Sequence, residues 1–97
     1  MNISIIIITR NEEKRIAECL QSICEQYTED LFEILVIDGD STDRTVDIVK
    51  GFQKENNFIS LIKCKQYGYG YQRNVGVLNA RGKYVVFLSE ILLFQRN

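Results

Sequence analysis

Hydrophobic residues along this chain alternate between short dense runs and longer stretches in which they recur every three or four positions. Residues 3–8, Ile-Ser-Ile-Ile-Ile-Ile, are too β-branched to favour a helix and too uniformly apolar for a half-exposed strand. They predict a first, central strand. From Glu13 onward Ile16, Leu20, Ile23, Cys24 and Tyr27 form the stripe of an amphipathic helix, with Lys14, Arg15, Glu18, Gln21 and Glu25 on its solvated side. Residues 32–37 predict a second strand, and Val46, Val49 and Phe52 mark a second helix that Gly51 weakens and Asn56-Asn57 ends. Residues 58–62 predict a third strand. A third helix carries Tyr71, Val75 and Leu78 on one side with Gly82 as its C′ residue, and residues 84–88 predict a fourth strand.

Every strand-to-strand connection contains a helix, so the strands should be parallel with right-handed crossovers. The fold class is α/β. In open parallel sheets, ligands bind beyond the carboxyl ends of the strands, which directs attention to residues 34–45. There an apolar run, Ile34 to Ile37, stops at Asp38-Gly39-Asp40-Ser41-Thr42-Asp43, with Ser41 or Thr42 placed to cap the next helix and Asp43 suited to its positive dipole end.

Length and charge narrow the picture. Ninety-seven residues with 45% hydrophobic content make a single domain, 1–97. Twelve basic side chains against 13 acidic ones give no field that argues for nucleic acid or an anionic membrane. The apolar run at 3–8 is far short of a bilayer span and implies no transmembrane segment. Cys19, Cys24 and Cys64 form no C-x-x-C pair, and without histidine they cannot complete a zinc set. They read as small hydrophobes in a reducing, cytoplasmic setting.

Motif chemistry removes further classes. No G-x-x-x-x-G-K-[ST] phosphate loop occurs, and the turn after the first strand lacks the glycines of a dinucleotide fingerprint. Without histidine the usual base of a nucleophilic triad is missing. What remains at one sheet edge are carboxylate, hydroxyl, amide, guanidinium and aromatic groups in residues 9–12, 38–42 and 68–74. These suit a nucleoside diphosphate: Asp38 can accept from a base N–H, the main chain near Thr9 can frame the ring, and Arg73 can answer phosphate charge. Singly, each has a plain structural explanation as a strand end, an exposed helix residue or a local cap.

Together, the motifs resemble a known family. The hydrophobic strand followed by Thr9-Arg10-Asn11-Glu12, the stretch Asp38-Gly39-Asp40-Ser41-Thr42-Asp43-Arg44-Thr45, and Arg73-Asn74-x-Gly76 followed by Ala80-Arg81-Gly82-Lys83-Tyr84 resemble the nucleotide-binding part of family 2 inverting glycosyltransferases. Gly39 and Asp40 depart from the commonest form, Asp-Asp-Gly-Ser-Thr-Asp. The resemblance implies a truncated GT-A fold: a three-layer sandwich around a four-stranded parallel sheet in the order 3-2-1-4. It implies a nucleotide-diphosphate sugar as partner, a hexosyl group transferred to an acceptor hydroxyl, and a nucleotide-binding set of Thr9, Arg10, Glu12, Asp38, Asp40 and Arg73. A divalent metal, Mg²⁺ or Mn²⁺, is expected for the family, held by an Asp-x-Asp after the fourth strand.

Here Ser89 and Ile91 stand where those aspartates would be, Glu90 lies between them, and isoleucine cannot ligate a hard cation. The reading is therefore the donor-binding portion of a glycosyltransferase, inactive by itself. The alternative is a non-catalytic nucleotide-binding or homodimerising module of the same fold, in which the apolar stretch 91–94 covers an open sheet edge or a dimer interface.

Overall fold

The computed structural model describes residues 2–26 and 32–88. Tyr27, Ser89, Glu90 and the stretch 91–94 lie outside them. Seven elements follow one another as β1 (Ile3–Thr9), α1 (Ile16–Gln26), β2 (Phe32–Gly39), α2 (Thr45–Glu55), β3 (Ile59–Cys64), α3 (Tyr69–Asn79) and β4 (Tyr84–Leu88). The strands form one sheet in the order β3-β2-β1-β4, with every pairing parallel.

Successive side chains of a strand point to opposite faces, so a strand covered on both sides must be apolar throughout. Ile5, Ile7, Ile34 and Val36 face α1 and α2, where Ile16, Cys19, Leu20, Ile23 and Val49 complete a core that also holds Phe32 and Ile59. The Phe32 and Phe58 rings meet there with centroids 4.9 Å apart. Ile6, Ile8, Leu35 and Ile37 face the other way, joined by Cys64 and by Val75, Ala80 and Phe87 from α3 and the fourth strand's side. Residues 5–8 and 34–37 are the buried centre of the sheet. The edge strand β4 is half open, and Tyr84, Val85 and Val86 are exposed.

Three local expectations are corrected. The buried residues of α3 are Gln72 and Gly76, while Tyr71 and Leu78 are exposed. A Cβ at Gly76 would lie 2.7 Å from Ile6 Cγ2, so α3 meets the sheet through a position with no side chain. Counting large apolar residues selects the wrong face of such a helix. Gly82 is not the C′ residue of α3: the helix ends at Ala80 in extended backbone. Gly82 runs against β1 instead, where a Cβ would sit 2.6 Å from Ser4 N and 2.7 Å from Ile3 C. Neither Ser41 nor Thr42 caps α2, which begins at Thr45. The Asp43 carboxylate accepts the Thr45 N–H at 2.9 Å and its hydroxyl at 2.5 Å.

A clasp fixes β4 at the end of the sheet remote from the C-terminal edge of β1 and β2. Ser4 donates to Glu33 Oε2 at 2.6 Å and accepts the Gly82 N–H at 2.7 Å. Glu33 also accepts the Arg81 N–H at 2.7 Å and its guanidinium at 3.2 and 3.3 Å. Burial opposes charge on Glu33, but the Ser4 hydroxyl and the Arg81 backbone and side chain outweigh it and hold the carboxyl below its ordinary value.

Candidate functional site

The β1–β2 ladder ends with Thr9 paired to Asp38, so both polar groups arrive at the C-terminal edge of the two central strands. Asp38 is fully buried. Its Oδ1 accepts the Thr9 and Ser41 hydroxyls, each at 2.6 Å, and its Oδ2 accepts the Ser41 N–H at 2.9 Å. A carboxylate oxygen has two lone pairs, so Oδ2 retains acceptor capacity while Oδ1 is saturated.

The loops that follow β1 and β2 are stitched together. Asn11 accepts the Thr42 N–H at 2.8 Å through Oδ1 and donates its own N–H to Ser41 Oγ at 2.8 Å. The Glu12 N–H donates to Thr45 Oγ1 at 2.8 Å, the Glu13 N–H to Asp43 Oδ2 at 3.2 Å, and the Arg44 N–H to Glu13 Oε1 at 2.9 Å. Asn11 and Asp40 have φ of 57° and 58°, the left-handed region that Asn and Asp tolerate better than other side chains. Asp40 thereby takes the backbone shape for which glycine is the usual choice. Burial works against the Asp43 charge, yet the Thr45 hydroxyl and N–H and the Glu13 N–H hold its carboxyl below the usual value.

Arg10 extends from the end of β1 across the ring of Tyr67, in the loop before α3, with its guanidinium carbon 4.6 Å from the ring centroid. Its Nε and Nη1 are buried and have no acceptor among the described residues. Buried polar groups are nearly always satisfied, which marks this guanidinium as the incomplete part of the edge. Of the six sequence-derived residues, Thr9 and Asp38 are in direct contact and Arg10 overhangs the same edge. Glu12 serves through its backbone: its N–H meets Thr45, and its carbonyl accepts the Arg15 and Ile16 N–H groups that open α1. Asp40 is exposed, and Arg73 lies on α3 with its guanidinium over the Phe87 ring of β4 at 4.5 Å.

Among the described residues no three carboxylate, thiol or imidazole groups converge to hold a metal. The positions 89–91, where the family resemblance places such ligands, are outside them. Burial first, then the Glu12 charge, push the Cys19 thiol up to about 11, and burial with the Asp38 charge raises Cys64, which disfavours the reactive thiolate at both.

Comparison with known proteins places this edge in a family. The model described as "Glycosyl transferase family 2" matches residues 4–90. The chain belongs to that family. Relatives within it include a dolichyl N-acetyl-alpha-D-glucosaminyl phosphate 3-beta-D-2,3-diacetamido-2,3-dideoxy-beta-D-glucuronosyltransferase from Methanococcus voltae, 42% identical over 90% of this chain and 28% of the relative. Another is the poly(ribitol-phosphate) beta-N-acetylglucosaminyltransferase TarS of Staphylococcus aureus, 37% identical over 92% of this chain and 16% of the relative. The chain thus spans about a quarter or less of these relatives. The crystal structure of S. aureus TarS 1-349 in complex with UDP-GlcNAc superposes with a TM-score of 0.82 at 33% identity, covering 91% of this chain and 26% of that one. The mannosyltransferase PcManGT from Pyrobaculum calidifontis, in complex with GDP-Man and Mn2+, gives 0.81 at 28% identity, covering 87% and 26%. The four-stranded 3-2-1-4 sheet is part of the GT-A fold of these family 2 enzymes.

Sequence reasoning missed three members of this family 2 edge. Gln72 is 1% exposed and donates from Nε2 to the carbonyls of Thr9 and Ile37 at 3.0 and 2.8 Å. Tyr67 supports Arg10, and Ser41 binds Asp38 instead of capping a helix. A glutamine in a helix carries no sequence signal of burial. The cation-aromatic pair joins residues 57 positions apart, which no local pattern reveals.

Proposed function

We propose that this chain is the donor-binding portion of a glycosyltransferase, holding a nucleotide-diphosphate sugar at the C-terminal edge of β1 and β2. The observation that carries the reading is the Arg10 guanidinium, whose buried Nε–H and Nη1–H have no acceptor among the described residues, at the edge where open α/β sheets take ligands. A nucleotide brings oxygen acceptors, and Asp38 Oδ2 keeps a lone pair for a base N–H once the fully buried carboxylate is uncovered. The likeness to proteins crystallised with UDP-GlcNAc and with GDP-Man supports the same ligand class. Thr9 orients Asp38, the backbone of Glu12 fixes the β1 loop, Asp40 turns the β2 loop, and Arg73 supplies positive charge on the side of β4. In this reading the chain by itself binds donor without transferring the hexosyl group.

Asp38 is too well integrated for an alanine test, since its removal strands the Thr9 and Ser41 donors. Asp38→Asn keeps the shape and turns one acceptor into a donor. Titration of UDP and of GDP into 15N-labelled protein should shift the amides of Arg10, Asp38 and Ser41 in the wild type, with roughly tenfold weaker binding in a folded Asp38→Asn. Equal binding by both proteins removes Asp38 from the site, and no shift with either nucleotide overturns the reading.

A further inference from the structure

At the point where the β1–β2 ladder stops, the side-chain amide of Gln72 continues it. Both Nε2 hydrogens are used, one on the Thr9 carbonyl of β1 at 3.0 Å and one on the Ile37 carbonyl of β2 at 2.8 Å. The Oε1 accepts the Gly68 N–H at 3.0 Å, while the Gln72 N–H donates to the Gly68 carbonyl at 2.9 Å. This resembles a capping box displaced by one residue, and it ties the start of α3 and the loop carrying Tyr67 to the two strand ends. One buried amide therefore touches the residue before Asp38, the residue before Arg10, and the residue after the aromatic ring on which Arg10 lies.

Gly39 is shaped to this amide. A Cβ at 39 would stand 2.6 Å from Gln72 Oε1 and 2.8 Å from its Cδ, as well as 2.6 Å from Tyr67 Cβ. An aspartate, the commoner residue at 39 in the family pattern, cannot coexist with Gln72 where it stands. The loss of a side chain at 39 and the presence of an amide at 72 are two halves of one fit, and neither is explained by the acidic turn alone.

We infer that Gln72 is a positioning residue for nucleotide binding, a brace between β1, β2 and the β3–α3 loop that sets Asp38 and the Arg10–Tyr67 pair in their working relation. The inference rests on the nucleotide-binding reading for its function. The brace itself is testable without nucleotide.

Gln72→Glu is nearly isosteric and makes the brace titratable. Protonated, the new side chain still donates to one strand carbonyl, whereas ionised it sets a negative charge against two carbonyl oxygens and loses both donations. UDP and GDP are titrated into wild type and Gln72→Glu from pH 5 to pH 8, and the ratio of their affinities is taken at each pH so that titration of the phosphate cancels. The ratio should fall about tenfold or more as pH rises, at pH values where circular dichroism shows the variant folded. A ratio independent of pH overturns the inference. Gln72→Met keeps the volume and removes the hydrogen bonds, which covers failure of the charged variant to fold. Without ligand, its Gly68 amide should exchange with solvent at least tenfold faster than in wild type, and the amides following Thr9 and Ile37 should shift. Wild-type values at all three positions also overturn it. If neither nucleotide binds wild type, the nucleotide-binding reading fails by itself, and these ligand-free amides still decide whether Gln72 is the brace.

Discussion

Removing the Glu33 carboxylate should unlatch β4, and the structure sets the size of the effect. Glu33→Ala leaves the Ser4 hydroxyl, on a fully buried residue, and the Arg81 N–H without their acceptor. A buried donor left unmatched costs about 1 to 3 kcal/mol. The guanidinium contact adds roughly 1 kcal/mol at most, because the Arg81 side chain is 71% exposed and well screened. With two donors stranded, the total is about 2 to 7 kcal/mol, a large share of the roughly 5 to 15 kcal/mol that holds an ordinary domain. Glu33→Gln keeps one oxygen for Ser4 and the Arg81 N–H and loses only the guanidinium side, so a loss of about 1 kcal/mol or less is expected. Urea unfolding at pH 7, followed by circular dichroism, measures both. If Glu33→Ala unfolds within about 0.5 kcal/mol of wild type, or if the glutamine variant is as damaging as the alanine one, the clasp does not secure the fold.

Acid should weaken the protein through the same group: the Glu33 carboxyl lies below its ordinary 4.5 when folded, so its contribution is complete above that pH and disappears as pH falls through the folded value. Urea midpoints of wild type should drop below about pH 4.5, with a shallower decline in Glu33→Gln; parallel declines would assign the loss to other carboxylates. Gly82→Ala should destabilise more than Gly76→Ala, since its Cβ meets the backbone of Ile3 and Ser4 and the Cβ at 76 meets side-chain atoms of Ile6; equal thermal midpoints contradict this. Asp40→Gly should raise stability by roughly 1 kcal/mol by relieving a left-handed residue, and an unchanged or lower urea midpoint contradicts this. Thiol titration with a disulfide reagent should modify half-buried Cys24 well before Cys19 and Cys64, and simultaneous reaction of all three would mean the core opens readily.

The order of elements and the parallel sheet were legible in the chain, because period-two and period-3.6 patterns are local and each strand-to-strand connection had to be a crossover helix. The apolar runs at 5–8 and 34–37 identified the buried centre for the same reason: only a strand covered on both faces is apolar without alternation. The position of Asp38 at the C-terminal end of β2 was legible from its place after such a run. Its partners were not, since Thr9 lies 29 residues away and Ser41 suited a helix cap equally well. Tertiary structure alone decided which face of α3 is buried, because Gly76 and Gln72 contribute there by smallness and by hydrogen bonding, not by hydrophobicity. It also decided that Glu33, in register with Ser4 and reached by Arg81 48 residues on, is a buried charge. A polar side chain carries in its own sequence neighbourhood no trace of a partner that the fold brings to it from far along the chain.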